Sequence, residues 1–231
     1  MGVLKKKIRG APGRKGGAGT SLSDSAYQSL RERLRDGRLQ PGDRITTVKV
    51  AEDLGVSRTP VQEAFKRLEQ DGLLALHGRQ GAIITDLEPG QAKELYVMQE
   101  MLQSTAVRLV AQNATEVEIR TLRGMLEDQK RSFDDAPQFV RLNQQFHDAI
   151  FQMAHNRYLL QTVGMFHSSL ALLRSTNFLP PGRTQSAYQE HVAIVEAIER
   201  RDPDGAEKAT LDHIRASEHI RLTRAFRVGP R

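Results

Sequence analysis

Val61, Ala64, Phe65 and Leu68 recur at i, i+3, i+4 and i+7, so they share one face of a helix, while Thr59, Gln62 and Lys66 project from the other. A shorter apolar pattern, Val48 to Leu54, precedes this helix and stops at Gly55, a residue suited to a left-handed turn between two helices. A further helical pattern opens the region at residue 21, and "LLALHGRQGAIIT" closes it as a β-rich run broken by glycines. The order helix, helix, helix, hairpin thus occupies residues 21–86, and "LEPG" at 87–90 reads as a linker. Beyond it, residues 91–231 are dominated by the helical period, with helices predicted near 90–113, 115–132, 136–154, 157–175, 183–200 and 203–224. Breaks fall at Asn113, at Asp134 to Pro137, at His155-Asn156, at "FLPPGR" and at "RDPDG", all rich in turn residues. The expected architecture is mainly α: an N-terminal winged helix-turn-helix, then an all-α bundle of about six helices.

The stretch "GVSRTPVQEAF" makes the helix-turn-helix specific. Thr59 is expected as N-cap, with Pro60 as the first helical residue and Gln62 as the third, completing a capping box. Such a helix presents an electropositive N-terminus with short polar side chains, which suits docking on phosphates and reading of base edges. The hairpin tip His77-Gly78-Arg79-Gln80-Gly81 carries a cation, a histidine and two glycines, and can enter a minor groove.

Charge adds one segment. The 231 residues hold 34 Lys and Arg against 28 Asp and Glu, a formal charge of +6. Lys5, Lys6, Lys7, Arg9, Arg14 and Lys15 lie in the first 20 residues with no acid, so the remainder is neutral. Residues 1–20 therefore read as a disordered basic arm, either a solubilising tail or a contact to polyanion. The absence of cysteine excludes disulfides and thiolate metal sites. No apolar run approaches the ~18 residues of a membrane span and no signal-peptide core follows the basic start, so a cytoplasmic location is expected.

"LRERLRDGRLQPGDRI", "VAEDLGVSRTPVQEAFKRLEQDGLL" and "HGRQGAII" together resemble the winged-helix domain of the GntR superfamily of bacterial transcription regulators, and the helical remainder resembles the effector domain of its FadR-type (FCD) branch. The resemblance implies a homodimer that binds double-stranded operator DNA, more often as a repressor. Ser57, Arg58 and Thr59 would contact phosphates and bases, with Lys66 on the same exposed face, and His77, Gly78 and Arg79 would reach the minor groove. Members usually carry arginine where this chain has Gln62. Arginine favours guanine and glutamine favours adenine, so a changed half-site is expected.

The bundle holds a second constellation. Asn143 and His147 stand at i and i+4 beside the apolar stripe Phe139, Leu142, Phe146, Ala149, Met153. His191 falls within the stripe of the next helix but one, and His213 within that of the last. Each histidine is either a core residue with its own buried partner, or one of several ligands to a shared divalent ion such as zinc or nickel. The resemblance favours the second, since metal-binding FCD members use an aspartate and three histidines, matched in order by Asn143, His147, His191 and His213. With an amide in place of the carboxylate, the ion would keep its full charge and attract a small carboxylate effector. The arginine and glutamate that the family often has early in this domain are Gln99 and Gln103 here; Arg174 is either an alternative effector contact or a solvated helix-end cation. His155, His167 and His219 read as structural. Two other classes compete with this one: a regulator that senses the metal alone, and a metal-dependent enzyme. The second lacks an HExxH-like signature, and Glu190 points about 100° away from His191 on a helix.

Overall fold

The computed structural model describes residues 21–35, 37–78, 81–174 and 180–228. The basic arm, Arg79 and Gln80 lie outside these residues, as do Phe178 and Leu179 of "FLPPGR". The described elements are α1 (Leu22–Arg35), β1 (Arg44–Ile45), α2 (Thr47–Leu54), α3 (Arg58–Gln70), β2 (Leu74–Leu76), β3 (Ala82–Ile84), α4 (Pro89–Asn113), α5 (Glu116–Lys130), α6 (Ala136–Met153), α7 (Arg157–Arg174), α8 (Arg183–Glu199) and α9 (Pro203–Val228).

Helices α1 to α3 enclose a core of Ala26, Leu30, Val61, Ala64, Phe65 and Leu68, each at most 1% exposed. Thr46 caps α2 by accepting from the Lys49 amide at 3.2 Å, and Gly55 ends it at φ 65° with its amide bonded into the last turn. Helix α3 begins earlier than the capping-box reading expects. Ser57 is the N-cap and makes no side-chain cap bond; Thr59 and Pro60 are the second and third helical residues, and Gln62 lies past the first turn. The physical reason is that the first amides of a helix have no intrahelical acceptor, so a proline is tolerated throughout the first turn and does not mark its first residue.

The wing is an antiparallel sheet in the order β1-β3-β2, with Arg44 opposite Ile83 and Ala75 opposite Ile83 on the other side. The two-residue strand β1 is too short to show alternation, and only its pairing with β3 defines it. Gly81 turns the chain back at φ +99°, where a Cβ would stand 2.4 Å from the Ile45 carbonyl oxygen.

The six helices α4 to α9 pack around Val107, Val110, Leu122, Phe146, Ile194 and Ile198, all fully buried. Helices α4 and α9 run antiparallel, their register fixed by Arg108 pairing with Asp204 and Glu207 and by Arg215 pairing with Glu100 at 3.0 Å. The two halves also touch: Leu172 of α7 is buried in the core of the N-terminal half, and Arg221 of α9 donates to the Leu172 carbonyl and to Asp86, each at 3.2 Å.

Two glycines separate strain from contact. Gly55→Ala imposes only the left-handed backbone, because its Cβ meets nothing within 4 Å, and is expected to cost about 1–2 kcal/mol. Gly81→Ala adds the collision with Ile45 and is expected to cost clearly more and to unpair β1 from β3. Urea unfolding of both variants checks this; equal midpoints would show that the backbone contact at Gly81 is inconsequential.

Candidate functional site

The first site is the outer face of α3. Burial of Val61, Ala64, Phe65 and Leu68 against α1 and α2 leaves Arg58, Thr59, Gln62 and Lys66 exposed, and Ser57 is exposed just before the helix. Arg58, Gln62 and Lys66 follow at intervals of four, one ridge along a helix whose amino end is open. His77 and Gly78 are exposed beyond β2, where Gly78 takes φ 54° and the His77 amide bonds the Gly81 carbonyl at 2.8 Å. Between α1, β1 and α2 a groove of about 480 Å³ carries Arg33, Arg38, Arg44 and Lys49 together with Asp43 and Asp53. Arg33 is committed to Asp53 at 2.9 Å, so the groove is a mixed-charge surface.

The second site lies in the bundle core. Helix α6 brings Asn143 and His147 inward, α8 brings His191 and α9 brings His213; all four are at most 4% exposed. The three imidazoles form a closed triangle, with ring centroids 5.2 Å apart for His147–His191, 5.1 Å for His147–His213 and 4.7 Å for His191–His213. Phe146 stacks on His191 at 4.4 Å and fixes its plane. Each ring offers one nitrogen, and these three atoms lie within 4.8 Å of one another.

Partners outside the triangle orient two of the rings. His191 Nδ1 lies 2.8 Å from Gln129 Oε1, an oxygen that only accepts, so Nδ1 carries the proton and Nε2 a lone pair. That Nε2 is buried and unpartnered, and so is Asn143 Oδ1. His213 Nδ1 lies 2.6 Å from Glu190 Oε2, which likewise leaves its Nε2 for the interior. Glu190 in turn accepts from both terminal nitrogens of Arg183, at 2.6 and 2.9 Å, and Arg183 donates to Ser217 at 3.1 Å. Burial opposes ionisation of Glu190, but the hydrogen bonds from His213 and Arg183 outweigh it and hold its carboxyl below the ordinary range. Complete burial, followed by the charges of His213, His147 and Arg183, holds His191 well below the usual imidazole range and therefore neutral.

Asn143, His147, His191 and His213 therefore converge, and Gln129 and Arg183, which no sequence pattern marks, stand around them together with Glu190. The 100° that turns Glu190 away from His191 on α8 turns it onto His213 of α9, so the carboxylate dismissed on helical geometry is a direct partner of the triangle. Gln99 and Gln103 are buried in α4, 7% and 3% exposed. Arg174 ends α7, and its side chain is outside the described residues, as is that of His167. His155 takes φ 49° and pairs with Glu118 at 2.8 Å, a partner the sequence did not reveal. No helix among the described residues is long and apolar enough to cross a membrane.

A helix-turn-helix with a wing, joined to a six-helix bundle with a polar centre, defines a DNA-binding regulator with a separate regulatory domain. The sequence profile of bacterial regulatory proteins of the gntR family matches residues 22–84, and that of the FCD domain matches residues 94–216. The chain belongs to the GntR family, in its FCD branch, and is a transcriptional regulator and not an enzyme. It is 31% identical to the HTH-type transcriptional regulator YdhC of Bacillus subtilis over 199 residues, 84% of this chain and 89% of that protein. It is 32% identical to the Nta operon transcriptional regulator of Aminobacter aminovorans over 176 residues, 76% and 82% of the two chains. Among solved structures, Escherichia coli McbR/YncC shares the fold with a TM-score of 0.78 at 23% identity, covering 89% of this chain and 99% of that one.

For the DNA face, Arg58→Ala is expected to abolish specific operator binding, and Gln62→Arg to retain affinity while moving one position per half-site toward guanine. Selection from random DNA reads both. Identical base preferences for wild type and Gln62→Arg would remove Gln62 from base readout.

Proposed function

We propose that the protein is a cytoplasmic homodimeric repressor that binds operator DNA through α3 and the wing, and that an organic acid bound on a divalent ion in the bundle controls its affinity. Asn143, His147, His191 and His213 would hold the ion. The observation that carries this reading is the pair of buried, unpartnered acceptors, His191 Nε2 and Asn143 Oδ1, in a cluster whose other rings are within ligand reach. An orphaned buried acceptor costs about 1–3 kcal/mol, and one cation would satisfy both. The fit is close. Two nitrogens on one zinc ion, with bonds of about 2.0–2.1 Å, stand at most about 4.2 Å apart, so small side-chain rotations from the 4.8 Å limit suffice.

Charge then selects the second ligand. Glu190, the carboxylate that meets His213, is paired with Arg183, so a bound divalent ion would bring added positive charge into the core. A carboxylate effector would offset that charge, and the three nitrogens and one oxygen leave coordination positions for it on an ion that prefers five or six ligands. Repression accords with the relatives RspR of Escherichia coli, 24% identical, and NanR of Klebsiella aerogenes, 27% identical, both transcriptional repressors. A homodimer accords with Val97 and Met101, one turn apart on α4 and 53% and 61% exposed.

Zinc is expected to bind at about one ion per chain, and His147→Ala or His213→Ala to lose it while the winged helix stays folded. Glu190→Gln should weaken zinc by about 10–100-fold through loss of the bond that orients His213, and Asn143→Asp should tighten it. Calorimetry and elemental analysis, with anisotropy on a selected operator, test this. Wild type without zinc affinity, or His213→Ala with unchanged affinity, would return the histidines to the role of core residues.

A further inference from the structure

Arg58 and Gln62 lie toward the amino end of α3; the opposite end is held by a polar clamp. Tyr27 of α1, a buried residue, donates from its hydroxyl to the carboxylate of Asp71, the residue that ends α3. Two guanidiniums lie over its ring, that of Arg67 of α3 at 4.1 Å and that of Arg31 of α1 at 5.5 Å. Arg67 also pairs at 2.5 Å with Asp24, on α1 ahead of Tyr27. Arg31 reaches past the N-terminal half and donates to the Gly164 carbonyl of α7 at 3.4 Å. Burial, and next the bond to Asp71, push the Tyr27 hydroxyl above its ordinary range, so it remains the donor.

Stability alone does not call for this hydroxyl. Ala26 and Leu30 of α1 already share one apolar core with Phe65 and Leu68 of α3, a phenylalanine would fill the space of Tyr27, and Asp71 is exposed to water. Apolar packing is non-directional and tolerates a small tilt, whereas a hydroxyl-carboxylate bond has a narrow geometry. Leverage gives that difference its effect. From Arg58 to Asp71 the helix rises about 20 Å, so a tilt of about 3° about the clamped end moves Arg58 by about 1 Å. A shift of that size spoils a bidentate contact to a base edge, while a long cation still follows a phosphate. Asp71 also stands at the root of the wing: Gly72 follows at φ 70° and β2 begins at Leu74, and within the clamp's last turn Glu69 accepts from the Leu76 amide at 3.3 Å.

We propose that Tyr27 is a positioning residue for operator recognition: through Asp71 and Arg67 it sets the tilt of α3 on α1, and through Arg31 it ties that tilt to helix α7 of the bundle. The proposal rests on the reading of α3 as the helix that reads the operator.

Anisotropy of full-length protein on a selected operator and on random duplex, at one salt concentration and with thermal melting alongside, tests it. Tyr27→Phe keeps the ring and deletes only the hydroxyl. Its specific affinity is expected to fall at least about fivefold, with non-specific affinity and melting temperature near wild type because Asp71 returns to water. Asp71→Asn, whose amide oxygen still accepts from Tyr27, is expected to stay near wild type. Arg31→Met should lower the ratio of specific to non-specific affinity too, and the double variant Tyr27→Phe/Arg31→Met by less than the product of the single effects, since both act through one ring. A wild-type ratio in Tyr27→Phe would overturn the proposal, as would a lower melting temperature with both affinities reduced alike, which would make the hydroxyl a stabiliser only. A wild-type ratio in Arg31→Met would overturn the tie to the bundle. Arg58→Ala separates the underlying reading: specific binding retained there would remove α3 as the reader, whereas binding lost there and kept in Tyr27→Phe would sink the clamp alone.

Discussion

The bundle is organised by one constraint: three imidazoles and an amide are held where water cannot solvate them. A fully buried imidazole cannot take a proton cheaply, so His191 is neutral and keeps a lone pair facing the interior. Its orientation comes from Gln129 of α5, and that of His213 from Glu190 of α8, so the placement of two rings depends on three helices besides α6. Arg183, 4% exposed, is paired with the half-buried Glu190 through two hydrogen bonds, so each compensates the other's charge. Remove either member of that pair and the other is a lone charge in the core.

Helix α9 connects this centre to the DNA-binding half. His213, Ser217 and Arg221 follow at intervals of four, so they share a face of the helix. His213 meets Glu190, Ser217 meets Arg183, and Arg221 meets both Asp86, two residues past β3, and the carbonyl of Leu172, whose side chain is buried among α1 and α3 residues. An occupant that shifts α9 by a fraction of a turn displaces Arg221 against the root of the wing. Coupling by such a path needs two arrangements of a packed element, and Arg221 is where they would differ.

Much of the fold was legible because helices write their period into the sequence. The stripes Val61–Leu68 and Phe139–Met153 fix buried faces without reference to any partner, and Gly55 marks the turn between α2 and α3 through a backbone conformation that glycine favours. What was not legible depends on distant pairing. Strand β1 has two residues and exists only as a partner of β3; the start of α3 at Arg58 is set by how the turn packs and not by the preferred position of a proline. The same holds at the buried centre. Asn143 and His147 share a face by spacing alone, but Gln129 and Arg183 become partners of the centre only when α5 and α8 pack, and Glu190 faces inward because α9 lies beside it. A single helix wheel shows where a side chain leaves its own axis, and carries no information on what it meets.

The proposed metal centre stands or falls on whether His147, His191 and His213 converge on one ion. X-ray absorption at the zinc edge of zinc-loaded protein reads this directly. The expected spectrum shows a shell of nitrogen and oxygen at about 2.0–2.1 Å, with outer-shell scattering from three imidazole rings, one of which is lost in His191→Ala. An oxygen-only shell without imidazole scattering, or a spectrum indifferent to His191→Ala, would contradict it.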